Sequence, residues 1–144
     1  MPQRPVSKVI EQQEIIAVAP ATPIIEAVRL MKERHVGALM VVESDRLVGI
    51  LSERDVVFRV VAEERDAKST RVADVMTANP ETIRPEKPFG HALHMMCEGG
   101  FRHVPVVDAQ GRAVGMVSAR DALDLEEKEF EEALKQREHI RVIL

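Results

Sequence analysis

Aromatic residues and cysteine are scarce in this chain of 144 residues. It contains four Phe, no Trp and no Tyr, so we do not expect a surface on which nucleic-acid bases could stack. The one cysteine, Cys97, excludes an intrachain disulfide and a zinc site built from several cysteines, and it fits a reducing compartment. The net charge of −4 excludes a strongly basic protein that binds nucleic acid through its phosphates.

Long apolar runs are also absent. No run approaches the about 20 residues of a membrane-spanning helix, and residues 1–5 lack the apolar stretch of a signal peptide. These absences predict a soluble, cytoplasmic protein with no membrane partner. Hydrophobic residues make up 45% of the chain, enough for a sizeable core. The acidity is local, because residues 122–144 carry seven acidic and four basic residues while the rest is nearly neutral.

The chain contains two copies of one unit. Residues 49–55 align with residues 115–121, and both segments contain Gly-x-x-Ser-x-Arg-Asp. The leading segments 6–10 and 72–76 align as well, more weakly, at the same offset of 66, and residues 18–20 align with residues 83–85 at an offset of 65. A unit of about 60 residues buries too little surface to be stable alone. We therefore expect the two copies to share one core.

The hydrophobic pattern predicts the order β-α-β-β-α in each copy. In the first copy the predicted elements are a strand at 15–18, a helix from 22 or 23 to about 34, strands at 39–42 and 47–51 around a turn at 44–46, and a helix from 52 to about 64. In the second they are a strand at 82–83, a helix at 88–98, strands at 104–107 and 113–117 around a turn at 108–111, and a helix from 119.

These elements divide the chain into four predicted segments. They are a first unit at 7–65, a linker with a short helical turn at 66–79, a second unit at 80–125 and an acidic C-terminal helix extension at 126–144. The last helix is expected to reach about residue 139, with apolar positions that include Phe130, Leu134 and Ile140. Its many glutamates indicate a solvated face. The alternative is a docking helix for a partner or a second subunit.

One motif in each copy combines helix capping with the features of an anion site. A serine opens a helix and an aspartate follows three residues later, as Ser52 with Asp55 and Ser118 with Asp121. This is the spacing of a capping box, which is sufficient to explain either copy taken alone. The same helix N-terminus is also suited to binding an anion.

The neighbours of this motif favour a ligand. Arg54 and Arg120 place a positive charge in the first turn of each helix, where it opposes the helix dipole. An arginine that stands at this unfavourable position in both copies indicates a function other than helix stability. Gly49 and Gly115 remove side chains where a ligand could approach. Phosphate binding by serine and arginine, with the aspartate holding a ribose, would account for the set.

The tandem units and the repeated motif resemble the CBS-domain family. Residues 103–108 resemble the strand that precedes the motif, and residues 74–80 resemble the usual opening of a second copy. The resemblance covers roughly residues 7–125. It implies an α+β fold in which two tandem β-α-β-β-α CBS units pack as a pseudo-twofold pair. It also implies clefts between the copies for an adenosine derivative: AMP, ADP, ATP, NAD or S-adenosylmethionine. Such pairs commonly form a flat homodimer.

The resemblance also assigns roles to individual positions. The family's aspartate holds the ribose hydroxyls and its serine reaches phosphate, while residues opening the central strand line the base pocket. The nucleotide-binding positions implied in the first copy are Thr22, Ala38, Leu39, Met40, Ser52, Arg54 and Asp55. Those implied in the second copy are Ile83, Lys87, Arg102, His103, Val104, Pro105, Ser118, Arg120 and Asp121.

The two copies differ at several of these positions. Met40 stands where the family often has proline, and Arg102 and His103 stand where the first copy has Gly37 and Ala38. Together with Lys87 and Arg120, these residues predict more positive charge in the second cleft. We therefore expect the cleft that uses Asp121 to be the better site for a phosphate-bearing nucleotide.

His91, His94 and Cys97 recur every three residues on one predicted helix. This spacing could suggest a metal site. However, residues at this spacing fan across about 100° or more of the helix surface, and their counterparts in the first copy are charged residues of a solvated face. No metal and no cofactor other than the nucleotide is predicted.

The sequence therefore predicts a stand-alone regulatory module in signal transduction that is not an enzyme. It would bind an adenine nucleotide and signal its occupancy to an unknown protein partner, with residues 122–140 as the output surface. The alternative is a ligand-free dimerisation module of the same fold, in which Leu39 and Met40 fill the first cleft. A nucleotide-processing enzyme is a third hypothesis, with His103 as its general base.

Overall fold

The computed structural model describes residues 3–143, and side chains as far as residue 139. Its helices are α1 (Val6–Val9), α2 (Ile24–Arg34), α3 (Glu53–Val56), α4 (Val72–Val75), α5 (Phe89–Gly99) and α6 (Ala119–Ile143). Its strands are β1 (Ala17–Val18), β2 (Ala38–Glu43), β3 (Arg46–Ser52), β4 (Thr77–Ala78), β5 (His103–Val107) and β6 (Ala113–Ser118). The predicted α+β fold of two tandem units is confirmed. The side chain of Ile140 and residue 144 lie outside the described part.

The two units carry similar sheets of different size. In the first, β1 runs parallel to β2, and β2–β3 and β3–β4 are antiparallel pairs. In the second, β5 and β6 are antiparallel, and Ile83 forms an isolated parallel bridge with Val106. The predicted strands at 15–18 and 82–83 are therefore shorter than expected, a two-residue strand and a single bridge.

The β2–β3 and β5–β6 hairpins repeat even their irregularities. Both have a register shift at equivalent positions, after Val41 and after Val106. Ser44 and Asp45 join β2 to β3 with φ angles of 50° and 65°, the left-handed backbone that a tight two-residue hairpin requires. In the second hairpin the carboxylate of Asp108 accepts hydrogen bonds from two backbone N–H groups of the turn.

The short helices α1 and α4 are exchanged between the units. We call them the leading helices, because each precedes the first strand of its unit. The backbone N–H of Val6 in α1 donates to the carbonyl of Lys87 in the second unit at 2.8 Å. The N–H of Val72 in α4 donates to the carbonyl of Thr22 in the first unit, also at 2.8 Å. Each leading helix thus packs on the unit to which it does not belong in sequence.

Most of the described buried apolar side chains form two clusters, so the expectation of one shared core is wrong; Ala38 and Met40 are buried outside both clusters. The first cluster contains Ile24, Ala27, Met31, Leu39, Val41, Leu51, Val60, Val72 and Val75. The second contains Val6, Ile83, Phe89, Ala92, Met96, Val104, Val106, Val117 and Leu125. Each cluster lies between one face of a sheet, the helices of that unit and the exchanged leading helix. The leading helix adds the apolar area that a unit of this size lacks.

Gly49 and Gly115 make room for the leading segments rather than for a ligand. A Cβ atom at Gly49 would lie 2.5 Å from the sulfur of Met76, and one at Gly115 would lie 2.9 Å from Cδ1 of Ile10. Both contacts are closer than side-chain atoms normally approach. The expectation that these glycines open a path for a ligand is therefore wrong, because the chain itself occupies the space.

The helices that follow the two serine motifs differ in length. After α3 the chain continues as a π-helical segment, Val57–Val61, which exposes Val57, Phe58 and Val61. α6 instead runs for 25 residues, and every side chain from 126 to 139 is exposed. Within residues 3–143, no helix is both long and apolar enough to cross a membrane.

Candidate functional site

Two clefts lie between the units, and each contains one serine–aspartate motif. The Asp121 cleft has a volume of about 850 Å³ and is lined by Ser118, Arg120 and Asp121 together with Ala38 and Met40 of the first unit. The Asp55 cleft has a volume of about 660 Å³ and is lined by Ser52, Arg54 and Asp55 together with Arg102 and His103 of the second unit. Both volumes lie in the range of small-molecule sites.

Asp121 is held at the start of α6 by Ser118. The backbone N–H of Ser118 donates to Oδ2 of Asp121 at 2.7 Å, and the Ser118 hydroxyl lies 3.4 Å from the same oxygen. Burial raises the pKa of Asp121 above its ordinary value, and the hydrogen bonds from Ser118 oppose this rise. The cleft thus holds a partly buried carboxylate at a helix N-terminus.

Asp55 is more fully engaged in its own unit. It forms a complete capping box, in which the Ser52 N–H donates to Oδ2 at 2.9 Å and the Asp55 N–H donates to the Ser52 hydroxyl at 3.2 Å. Its other carboxylate oxygen lies 3.8 Å from Nε of Arg59. The same sequence motif therefore has a stronger structural role in the first unit.

Four residues line both clefts: Gly37, Glu53, Arg102 and His103. Burial lowers the pKa of the His103 imidazole, while the charges of Glu53 and Asp121 partly raise it again. A Cβ atom at Gly37 would lie 3.1 Å from a carboxylate oxygen of Glu53 and 3.5 Å from Cε1 of His103. The absence of a side chain at Gly37 thus lets the first unit come close to His103.

The charged lining residues do not differ in number between the clefts. They are Glu14, Glu53, Arg102, Arg120 and Asp121 in the Asp121 cleft, and Glu53, Arg54, Asp55, Glu81 and Arg102 in the Asp55 cleft. The predicted excess of positive charge in the Asp121 cleft is therefore wrong. The reason is that Arg102 and His103 are shared, while Lys87 lies outside both linings.

The clefts differ instead in how their charges are paired. Glu14 in the Asp121 cleft forms a bidentate ion pair with Arg34, with Nη2 lying 3.2 Å from Oε1. The hydrogen bond and charge of Arg34 lower the pKa of Glu14. In the Asp55 cleft the guanidinium of Arg54 lies 6.0 Å from the centre of the Phe58 ring. One carboxylate in each cleft is thus paired with an arginine, Glu14 with Arg34 and Asp55 with Arg59, and only the Asp55 cleft has in addition an arginine, Arg54, beside an aromatic ring.

Alternation along the strands separates the predicted base-pocket residues. Ala38 and Met40, each 1% exposed, and the partly exposed His103 form walls of the clefts, whereas Leu39 and Val104 are 0% exposed and belong to the two buried clusters. Successive side chains of a strand point to opposite faces, so an unbroken run such as 38–40 cannot line one cleft. The prediction that the side chains of Leu39 and Val104 line a cleft is therefore wrong, and the Leu39 side chain does not fill the first cleft.

The remaining predicted residues lie outside both linings. Ile83 is buried in the second cluster, and the carbonyl of Pro105 accepts the Ile83 N–H at 3.0 Å. The hydroxyl of Thr22 accepts a hydrogen bond from the Ala19 N–H at 3.2 Å. Thr22 and Lys87 hold the leading helices through their carbonyls, as described above. The turns before α2 and α5 therefore hold the two units together.

Residues 13–14 and 79–81 line the clefts but were not predicted to do so. Gln13 and Glu14 line the Asp121 cleft, and Asn79, Pro80 and Glu81 line the Asp55 cleft. Gln13 and Asn79 are equivalent in the repeat, at an offset of 66. The alignment of the leading segments could have found them, had it been extended as far as the first strand.

The histidines and the cysteine of α5 are not gathered into a site. His91, His94 and Cys97 are all exposed, and Nε2 of His94 lies 3.1 Å from a carboxylate oxygen of Glu98. Over the described part of the chain, no three His, Cys, Asp or Glu side chains are placed to share a metal ion.

Comparison with known proteins identifies the repeat. The sequence model of the CBS domain family matches residues 6–62 and 72–128. CBS domain-containing protein CBSCBSPB1 of Arabidopsis thaliana is 36% identical over 107 residues, which are 74% of this chain and 20% of that protein. The chain therefore spans about a fifth of the length of that relative.

Two solved structures share the fold and contain adenosine compounds. The CBS domain protein PAE2072 from Pyrobaculum aerophilum, complexed with AMP, has a TM-score of 0.75 and 26% identity, over 81% of this chain and 88% of that one. The CBS domain pair of protein MJ0100, in complex with 5′-methylthioadenosine and S-adenosyl-L-methionine, has a TM-score of 0.80 and 25% identity, over 89% and 99%.

Proposed function

The chain belongs to the CBS domain family, and from this we propose that it is a regulatory module that binds an adenosine-containing ligand in the Asp121 cleft. The observation that carries the proposal is the composition of that cleft. A carboxylate and a hydroxyl at the N-terminus of α6 face apolar side chains of the other unit. Such a site has a polar end for ribose and phosphate and an apolar end for a base.

Each part of the ligand has a matching group in the cleft. Asp121 would accept hydrogen bonds from the ribose hydroxyls, and the first turn of α6 with Ser118 would bind phosphate. Arg120 and Arg102 would neutralise the phosphate charge, and the base would pack against the partly exposed side chains of Ile16 and Met116. The AMP and S-adenosylmethionine complexes of similar structures support an adenosine ligand.

Regulation would follow from the position of the ligand between the units. A molecule that contacts both β2 and the start of α6 binds best when the two units hold one relative arrangement. It therefore shifts the population toward that arrangement. A protein partner that contacts both units would sense this shift, and the proposal assigns no catalytic step to the chain. Turnover of ATP that required His103 would replace this proposal with the enzyme hypothesis.

A homodimer in the cytoplasm is part of the proposal. The exposed apolar side chains of Val57, Phe58 and Val61 support a contact between two copies, because such a patch is costly to leave in water. Sedimentation velocity of the protein with Phe58→Glu, compared with the unchanged protein, would measure this contact.

A binding panel tests the proposed ligand class. We expect one of AMP, ADP, ATP, NAD or S-adenosylmethionine to bind in calorimetry and to raise the melting temperature. At 100 times its dissociation constant the ligand adds about 2.7 kcal/mol of stability, or several degrees. Asp121→Asn should weaken binding about tenfold or more, and Asp55→Asn should have a smaller effect.

The same panel can contradict the proposal in two ways. A flat panel, from protein shown to carry no bound nucleotide, would favour the ligand-free dimerisation module. Loss of binding in Asp55→Asn with full binding in Asp121→Asn would move the site to the other cleft.

A further inference from the structure

The exposed part of α6 carries a narrow apolar stripe. Leu123 and Phe130 are both 65% exposed and Leu134 is 44% exposed. At about 100° per residue, these three side chains fall on one side of the helix, and Glu127 and Arg137 continue the same line. We call Glu127, Phe130, Leu134 and Arg137 the α6 stripe; Leu123 lies nearer the start of α6 and lines the Asp121 cleft. Within the segment 127–137, the apolar side chains lie in the middle and a charge lies at each end.

We propose that the α6 stripe docks against the α6 stripe of a second copy of this chain, with the two helices antiparallel. In that arrangement Phe130 faces Leu134 of the second copy, and Leu134 faces Phe130 of the second copy. Glu127 then faces Arg137 of the second copy, and the reverse pair forms at the other end. The surface is complementary to itself, as a twofold interface requires.

Charge selects the antiparallel orientation. Residues 126–132 contain five acids and one base, whereas residues 133–138 contain two bases, Lys135 and Arg137, and one acid, Glu138. Parallel helices would bring the two acidic segments together and place Glu127 against Glu127. Antiparallel helices instead place each acidic segment beside residues 132–138 of the second copy, where two bases balance two acids, so the repulsion between like charges is smaller. Like charges at close range are destabilising, and opposite charges stabilise the pair.

The same features favour a second copy over a different partner. A partner for this stripe needs two apolar side chains flanked by an acid at one end and a base at the other, at helical spacing. The α6 stripe itself has this pattern. The segment 127–137 is about 16 Å long, which is short for a stable interface. We therefore expect the contact to be reversible and to depend on protein concentration.

Cysteine cross-linking tests the contact and its orientation together. In a Cys97→Ser background, Phe130→Cys and Leu134→Cys variants are made separately, mixed and oxidised with copper-phenanthroline. We expect a disulfide-linked dimer in the mixture at about tenfold the yield of either variant alone, because only the mixture brings position 130 against position 134. Non-reducing gel electrophoresis measures the yield.

A matched control lies on the opposite face of the same helix. Positions 128 and 136 are symmetric about residue 132, as positions 130 and 134 are. The side chains of Lys128→Cys and Gln136→Cys, however, lie on the face of the helix opposite the stripe. Equal cross-linking in this control would indicate random collision and overturn the proposal. Equal cross-linking of each single variant with itself would indicate parallel helices, and no cross-linking in any mixture would exclude the contact.

Charge reversal gives an independent check. Glu127→Lys should reduce the cross-link yield about tenfold, since it places two positive charges opposite each other at both ends. Glu127→Lys combined with Arg137→Glu should restore the yield, because both pairs again have opposite charges. Failure of the double variant to recover would count against the proposed register.

Discussion

Asp55 and Asp121 occupy the same motif but have different contacts. Asp55 uses both carboxylate oxygens within its own unit, for Ser52 and for Arg59. Both described hydrogen bonds of Asp121 end on one oxygen, in a cleft where burial raises its pKa. A carboxylate kept in an unfavourable environment indicates a binding role more than a structural one.

Replacing Asp121 by asparagine should therefore preserve or raise the stability of the ligand-free protein. Its pKa is raised on folding, so the ionised form costs stability as the pH rises from 3.8 through the folded pKa. Asparagine removes that cost and can still accept the Ser118 N–H. Asp55→Ala should instead lose about 1 kcal/mol with its capping box. Melting temperatures at pH 4 and pH 7 measure both effects, and a destabilised Asp121→Asn protein would contradict the first.

His103 should report the arrival of a phosphate. Burial lowers its pKa below 6.5, so the stability due to the neutral ring is complete above pH 6.5 and is lost as the pH falls toward the folded pKa. A phosphate bound beside the ring favours the protonated form and should raise this pKa. An NMR titration of His103 with and without AMP measures the change. An unchanged pKa at saturating AMP would place the phosphate elsewhere.

At the scale of elements, Gln13 acts as a partner for the free edge of β6. Its side-chain amide donates to the carbonyl of Met116 at 2.8 Å, and its amide oxygen accepts the Met116 N–H at 2.7 Å. One side chain thus satisfies both backbone groups of a strand residue and closes one side of the Asp121 cleft. Asn79 occupies the equivalent position in the repeat, but there β4 pairs with β3.

Gln13→Ala should destabilise the protein by about 1–2 kcal/mol, because two hydrogen bonds to the backbone are lost. The preceding residue, Gln12, has the same side chain and is exposed, so Gln12→Ala is a matched control. Urea denaturation measures the difference between the two variants. Equal stability of both would show that water replaces the amide of Gln13 without cost.

The sequence was sufficient to predict the order of the elements. It was not used to predict which face of each strand is buried, and it did not show on which unit each leading helix packs. The repeat and the serine caps place the helices after Ser52 and Ser118 within a few residues of their observed starts. The faces of β2 and β5 could have been derived from strand alternation, which separates Leu39 from Met40. The exchange of α1 and α4 could not, because the spacing of Val6 and Val72 is the same whether each helix packs on its own unit or on the other.

For the whole molecule, the exchange means that each unit is stabilised by a distant part of the chain. Val6 should stabilise the second unit and Val72 the first, and truncating either to alanine should cost roughly 2 kcal/mol. Hydrogen exchange should then speed up in α5, β5 and β6 for Val6→Ala, and in α2, β2 and β3 for Val72→Ala. A uniform increase across both units in either variant would show that the two clusters open together.

The exchanged helices also give the chain the form of a fused dimer. A shorter gene that encoded one unit could complete its core only by trading leading helices with a second, identical polypeptide. Joining two such genes head to tail would keep those contacts and turn an association between molecules into a link within one. If the chain were cut between residues 62 and 71, each fragment would carry the leading helix that completes the core of the other fragment. The two fragments would therefore be expected to bind each other.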